Sequence, residues 1–235
     1  NGNLFAQEAI AKGASHAIID DENYKTTEGC ILVDDVLSAL QQLAAFHRRY
    51  LNIKILALTG SNGKTTTKEL LHTVLSKKFK TIATRGNLNN HIGVPLTLLN
   101  MNNSTEIGII EMGANHLKEI EFLCNLAQPD YGYITNFGKA HLEGFGGIQG
   151  VIKGKSELYH HLITNNKLIF LNTNDNFEIE LKFDIEAEPL QESILFEIDK
   201  TYKNAKEHNI YFFDWSTNCI SWFLTKHIAN WGQST

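Results

Sequence analysis

The stretch Ile53-Lys54-Ile55-Leu56-Ala57-Leu58-Thr59-Gly60-Ser61-Asn62-Gly63-Lys64-Thr65-Thr66-Thr67 decides the fold. Its first seven residues are a short apolar run that reads as a buried strand over 53–59, and the next residues read as a glycine turn feeding a helix over 64–79. Glycines let the backbone turn its N–H groups toward a phosphate, and the helix start adds partial positive charge. Lys64 can reach the β- and γ-oxygens of a nucleotide, and Thr65 can ligate magnesium. Gly60, Ser61, Asn62, Gly63, Lys64, Thr65 and Thr66 are therefore the candidate nucleotide-binding residues. Only two residues separate Gly60 from Gly63, fewer than in the general P-loop pattern, and a plain glycine turn before a helix is the bland alternative.

Working outward, strands are expected over 107–111, 131–135 and 167–171, alternating with helical stretches over 91–99, 117–126 and 149–162. Such alternation implies βαβ units and a parallel sheet covered on both faces, with ligands beyond the carboxyl ends of the strands. Upstream, a helix over 7–12, strands over 16–20 and 30–33 and an amphipathic helix over 36–50 look like part of a small α/β domain. The fold class is thus α/β: a parallel-sheet P-loop-type central ATPase domain over 52–176, preceded by a partial small domain over 1–51. The adjacent Arg48 and Arg49 read as the solvated end of the helix that closes the small domain.

The chain has 235 residues, 43% of them hydrophobic, enough for one large or two small domains with a real core. No run of about 18 apolar residues occurs, so no membrane insertion is expected, and the N-terminus has neither an initiator Met nor a signal-peptide order. Cys30, Cys124 and Cys219 are far apart, which predicts neither a disulfide framework nor a zinc site and fits a cytoplasmic setting. The net charge of −5 weighs against nucleic acid as the main partner. That imbalance lies wholly beyond residue 176, where 10 Asp/Glu meet 5 Lys; all three tryptophans also lie there, but only one of 17 glycines. Residues 177–235 are accordingly set apart as an unassigned tail, with possible strands over 178–183 and 193–198 and an amphipathic stretch over 220–231.

Glu111 ends an apolar strand, where a carboxylate is costly unless a cation or hydrogen bonds compensate it. A magnesium ligand is one reading and a solvated strand-end Glu the other. Asn87, Asn89 and Asn90 form a polar cluster whose amides donate and accept at once, suited to a sugar, a pyrophosphate or a metal-bound water. Asn90, just before an apolar helix, fits an N-cap equally well. His141 follows a strand end, and a lone histidine there reads more readily as structural than as a ligand. His16, His47, His72, His91, His116, His160 and His161 show no metal-ligand spacing.

Four segments carry a resemblance: the short Gly60-x-x-Gly63-Lys64-Thr65 loop, Thr84–Leu99 with its Gly86-Asn87-Leu88-Asn89-Asn90 core, Ile110-Glu111-Met112-Gly113-Ala114-Asn115-His116, and Thr135–Gly146 with Ala140-His141-Leu142-Glu143. Together they resemble the Mur ligases, relatives of folylpolyglutamate synthase, over about residues 1–175. Within the family the combination is most similar to the members that add D-alanyl-D-alanine to the cell-wall precursor. The resemblance implies an ATP- and Mg2+-dependent ligase that joins D-alanyl-D-alanine to the peptide carboxylate of UDP-N-acetylmuramoyl-tripeptide through an acyl phosphate. It implies Thr65 and Glu111 around one magnesium, His141 at a second, and a carbamylated lysine as a further ligand. Counted from His141 that lysine is Lys155, with Lys153 the competitor and two ordinary solvated lysines the alternative. Lys64, His141 and Lys155 are then the catalytic candidates, and Asn87, Asn89 and Asn90 the substrate-binding ones. A complete ligase of this kind also has an N-terminal domain for the UDP-sugar, of which residues 1–51 look like part, and a C-terminal domain, of which the tail shows no recognisable counterpart. Another amide ligase of the superfamily, or a nucleotide-binding fragment without full activity, is the competing reading.

Overall fold

A computed structural model describes residues 2–172 and 210–213. The expected segments over 178–183, 193–198 and 220–231, and Cys219, lie outside the described residues.

The first elements are α1 (Ala6–Ala11), β1 (Ala17–Ile19) and β2 (Cys30–Leu32), the two strands pairing in parallel. Their small core is Ala6, Ile19 and Cys30. The helix α2 (Val36–Leu51) comes next, its start fixed by the Asp35 carboxylate accepting from Ser38 N–H, with Asp20 Oδ2 accepting from Val36 N–H at 3.1 Å. This helix packs on the later elements: Ala44 is fully buried in the main core. Arg48 corrects the expectation of a solvated helix end, being only 6% exposed. Its Nε donates to Ala127 O at 2.8 Å, and its Nη2 to Gln128 O at 2.9 Å and Asp130 Oδ2 at 3.2 Å. Those acceptors lie about 80 residues away in sequence, beyond the reach of local pattern.

The main sheet is fully parallel. Its strands are β3 (Lys54–Thr59), β4 (Thr81–Ala83), β5 (Ile107–Glu111), β6 (Tyr131–Ile134), β7 (Leu168–Asn172) and β8 (Ile210–Phe213), in the order β4-β5-β3-β6-β7-β8. The helices between them are α3 (Lys64–Leu75), α4 (Gly93–Leu99), α5 (Glu119–Ala127), the short α6 (Leu142–Phe145) and α7 (Ile148–Thr164). The pleat divides the core. Ile55, Ala57 and Ile110 face α2, α4, α5 and α7, while Leu58, Ile107 and Ile109 face Leu71 and Leu75 of α3. Sheets buried on both faces need such unbroken apolar strands, and all five residues of β5 are buried.

Two strands go beyond the sequence expectation. β4 is a three-residue edge strand, too short to show a pattern, and β8 pairs with β7 through Ile169↔Ile210 to Asn172↔Phe213. The helix expected over 64–79 stops at Leu75. Chain order reverses around β3, which lies between β5 and β6, so the crevice at its carboxyl end is where a ligand is expected. Among the described residues no helix is long and apolar enough to cross a membrane.

Candidate functional site

At the end of β3 the backbone enters the Gly60–Gly63 turn, and α3 starts directly behind it. Gly60 has φ +146°, and a Cβ there would lie 1.8 Å from Thr135 Oγ1, so only glycine allows this approach. The turn is stitched to the chain leaving β6. Ser61 N–H donates to Asn136 O at 3.1 Å, and Asn62 N–H to Asn136 Oδ1 at 3.1 Å. Thr135 Oγ1 and Asn136 Nδ2 both donate to Asn62 O, at 2.6 and 3.1 Å. The loop is therefore pre-shaped by the segment that leads to His141. Lys64 folds back over it, donating to Gly60 O at 2.7 Å and Ser61 O at 3.5 Å. Burial lowers the Lys64 pKa, and the Glu111 carboxylate opposes that fall.

Glu111 is 1% exposed at the end of β5. Its Oε1 accepts from Asn89 Nδ2 at 2.9 Å and from Thr65 Oγ1 at 3.5 Å. Its Oε2 has no hydrogen-bond partner and lies 3.8 Å from Lys68 Nζ. A buried carboxylate oxygen without a hydrogen-bond donor is poorly compensated by the protein, and a coordinated cation would supply that compensation. Beside the Thr65 hydroxyl it forms the hard-oxygen pair that magnesium prefers, so these residues fit that ion. The solvated-Glu alternative does not hold.

A cavity of about 740 Å3 opens beside this cluster, lined by Lys64, Asn89, Asn90 and His141 and by Gln41 of α2. Of the asparagines, Asn90 Oδ1 caps α4, accepting from Ile92 and Gly93 N–H at 3.1 and 2.9 Å. Asn87 is exposed and is not among the residues lining the cavity. Asn89 reaches Glu111 past Gly113, where a Cβ would stand 2.8 Å from its amide. His141 is exposed, with φ +56°. Among the described residues no three His, Cys, Asp or Glu side chains cluster as a metal site, so the implied ligands are not preassembled from those residue types.

Lys155 is 1% exposed while Lys153 is exposed, so the solvated-lysine alternative does not hold for Lys155. Its Nζ lies 5.5 Å from the centre of the Phe145 ring and makes no hydrogen bond or ion pair with the described residues. Burial first, and the Lys64 charge second, push its pKa down to about 8 against the opposing pull of Glu119. Glu119 also shapes the loop after β5, accepting from Asn115 N–H at 2.6 Å and His116 N–H at 3.1 Å. Sequence reading missed Lys68, Asn136 and Glu119. Lys68 had a signal: three residues after Thr65 in a helix, it stands on the same face.

A glycine loop feeding a helix at the reversal point of a parallel sheet, beside a buried carboxylate and hydroxyl, has the geometry of a nucleotide-binding α/β domain. The Mur ligase middle domain matches residues 58–231, and the chain belongs to the Mur ligase family. The match runs through most of the tail. The chain is 40% identical over 173 residues to the UDP-N-acetylmuramoyl-tripeptide–D-alanyl-D-alanine ligase of Bacillus subtilis, covering 73% of this chain and 38% of the relative. With the Escherichia coli enzyme of the same name it shares 39% over 172 residues, again covering 73% and 38%. Among solved structures it is similar to MurF from Acinetobacter baumannii, with a TM-score of 0.70 and 36% identity over 90% of this chain and 42% of that one. MurF from Thermotoga maritima in complex with ADP gives 0.66 and 33%, over 74% and 40%. The chain thus spans about 38% of the length of these curated relatives.

Proposed function

We propose that this chain is the nucleotide-binding part of a cytoplasmic ligase that joins D-alanyl-D-alanine to the peptide carboxylate of UDP-N-acetylmuramoyl-tripeptide, driven by ATP, in peptidoglycan precursor synthesis. The observation that carries the reading is the Glu111 carboxylate, buried with one oxygen lacking a hydrogen bond beside Thr65 and the Lys64 loop. Similarity to ligases named for these substrates, and to a MurF ligase solved in complex with ADP, supports it.

In the reaction a carboxylate oxygen of the tripeptide attacks the γ-phosphorus of ATP, and ADP leaves. The amine of D-alanyl-D-alanine then attacks the acyl carbon of the acyl phosphate, and inorganic phosphate leaves. Such chemistry needs positioning and charge neutralisation rather than a protein nucleophile. The amides at the start of α3 and the Lys64 ammonium hold the phosphates, Lys64 exchanging its carbonyl contacts for phosphate oxygens. Thr65 and Glu111 hold magnesium, with Asn89 orienting Glu111. Magnesium, when bound, neutralises charge that develops on the transferred phosphoryl group. Asn90 and His141 on the cavity wall, with Asn87 on the same loop, serve substrate and a second cation.

Lys155 fits carbamylation. With a pKa of about 8, about a tenth of its amine is neutral at pH 7, far more than for an ordinary lysine. The neutral amine adds to CO2, an N–C bond forms, one proton leaves to solvent, and the resulting carbamate offers anionic oxygens as metal ligands. Labelled bicarbonate should give a carbamate NMR signal that is absent in Lys155→Ala and retained in Lys153→Ala.

The substrate assignment is tested in the full-length protein, as phosphate release with the muropeptide and D-alanyl-D-alanine against diaminopimelate, lysine or glutamate. ATP hydrolysis independent of the muropeptide overturns it. Because the chain covers only 38% of its curated relatives, a second reading stands: a nucleotide-binding fragment without catalysis, which would bind ADP while forming no product.

A further inference from the structure

A lysine that the phosphate-loop pattern does not use lies behind the candidate cation site. Lys68 is fully buried at 0% exposure, yet its Nζ has thin compensation. It lies 3.0 Å from Glu69 Oε1, 3.4 Å from Gly86 O and 3.8 Å from Glu111 Oε2. The Glu69 side chain is 60% exposed, which leaves Glu111, 2% exposed at its side chain, as the buried counter-charge. Lys64 acts on the same carboxylate through space. The one buried carboxylate therefore faces two ammonium groups, with the exposed Glu69 as the second anion near Lys68.

A divalent cation entering alone at Glu111 meets the repulsion of both, in surroundings where water screens little. A cation that arrives on a polyphosphate brings several negative charges that offset it. We propose that Lys68 makes cation binding at Glu111 conditional on nucleotide: by holding positive charge against the carboxylate it lowers the affinity for a free divalent cation, so that the metal enters as its nucleotide complex. Lys68 is a positioning residue, acting through Glu111. The inference rests on the reading of Glu111 as a cation ligand.

The test titrates Mn2+ into the chain and follows free Mn2+ by electron paramagnetic resonance, with and without ADP. Lys68→Met keeps the length and apolar stem while removing the charge. It is expected to raise affinity for Mn2+ alone by about tenfold or more, with a much smaller change for Mn2+ with ADP, and Lys68→Arg is expected to behave as wild type. Should Lys68→Met fail to fold, Lys68→Gln, which keeps a donor for the Gly86 carbonyl, is judged by the same result. Unchanged or weaker Mn2+ binding without nucleotide overturns the proposal. Glu111→Gln separates the two claims. If it leaves Mn2+–ADP binding intact, the cation-ligand reading itself fails; if it abolishes that binding while the Lys68 variants show no gain, only the role of Lys68 fails.

Discussion

Replacing Lys155 by methionine is expected to stabilise the chain at neutral pH, and to do so progressively less as pH rises. The amine is 1% exposed, and burial together with the Lys64 charge brings its pKa from 10.5 to about 8. Below about 8 the folded chain keeps a charge in a buried site that the unfolded chain keeps in water. A fall of that size corresponds to roughly 3 kcal/mol of destabilisation. Between about 8 and 10.5 the folded amine has lost its proton while the unfolded one retains it, so the wild type gains stability with pH and the penalty fades. Methionine fills a similar volume without charge. Urea unfolding followed by far-ultraviolet circular dichroism, in buffer stripped of CO2, should show the variant ahead by roughly 3 kcal/mol at about pH 7 and level with the wild type above about pH 10.5. Bicarbonate at neutral pH should then stabilise the wild type and leave the variant unchanged. A difference independent of pH, or a variant less stable at neutral pH, would refute the reasoning.

Asp130→Ala should cost about 3–5 kcal/mol in urea unfolding, because it leaves Arg48 buried without its counter-charge and Ile55 N–H without its 3.1 Å acceptor. Removing Arg48 and Asp130 together should cost less than the sum of the single losses. Lys64→Ala should weaken ADP binding, measured by calorimetry, by about tenfold or more, since charge-assisted hydrogen bonds are worth about 1.5–3 kcal/mol each. Gly60→Ala, whose Cβ meets Thr135 Oγ1 at 1.8 Å, should abolish ADP binding and lower Tm. Gly86→Ala, with nothing within 4 Å of the added Cβ but φ +53° in the left-handed region, should lower Tm by a few degrees, since that conformation costs a non-glycine residue about 1–2 kcal/mol.

The strands β3, β5, β6 and β7 are legible in the sequence because each is an apolar run bounded by turn residues, and a sheet covered on both faces demands that pattern. β4 is not legible, since three residues on a sheet edge carry no periodicity. Ile210–Phe213 escapes such reading although it pairs with β7, because its place depends on a partner some 40 residues earlier rather than on its own composition. At the candidate site, the meeting of Lys64, Thr65 and Glu111 is legible from their placement at and just after strand ends. The opposing face of the same loop, supplied by Thr135 and Asn136, is not, because nothing near Asn136 in sequence marks it as a partner of Asn62.

The two buried lysines carry a sequence signal that periodicity exposes. In α7 the buried positions Val151, Lys155, Leu158 and Leu162 repeat at intervals of four, three and four, so Lys155 stands in the core-facing stripe. Lys153, two residues away, points to the opposite side and is exposed. In α3, Lys68, Leu71 and Leu75 repeat at three and four, and Lys68 again takes a place that the stripe reserves for an apolar residue. A lysine on an apolar stripe destabilises a helix packed on a sheet unless something in the core receives its charge. Each of these meets the same small region, Lys155 through the Lys64 charge and Lys68 through Glu111. Cation against cation on one side, and on the other a cation against a buried carboxylate with one oxygen lacking a hydrogen bond, is an arrangement that packing alone would select against. The local rule is broken twice around one carboxylate and one glycine loop, which places the cost of burial where the proposed polyphosphate and metal charges would offset it.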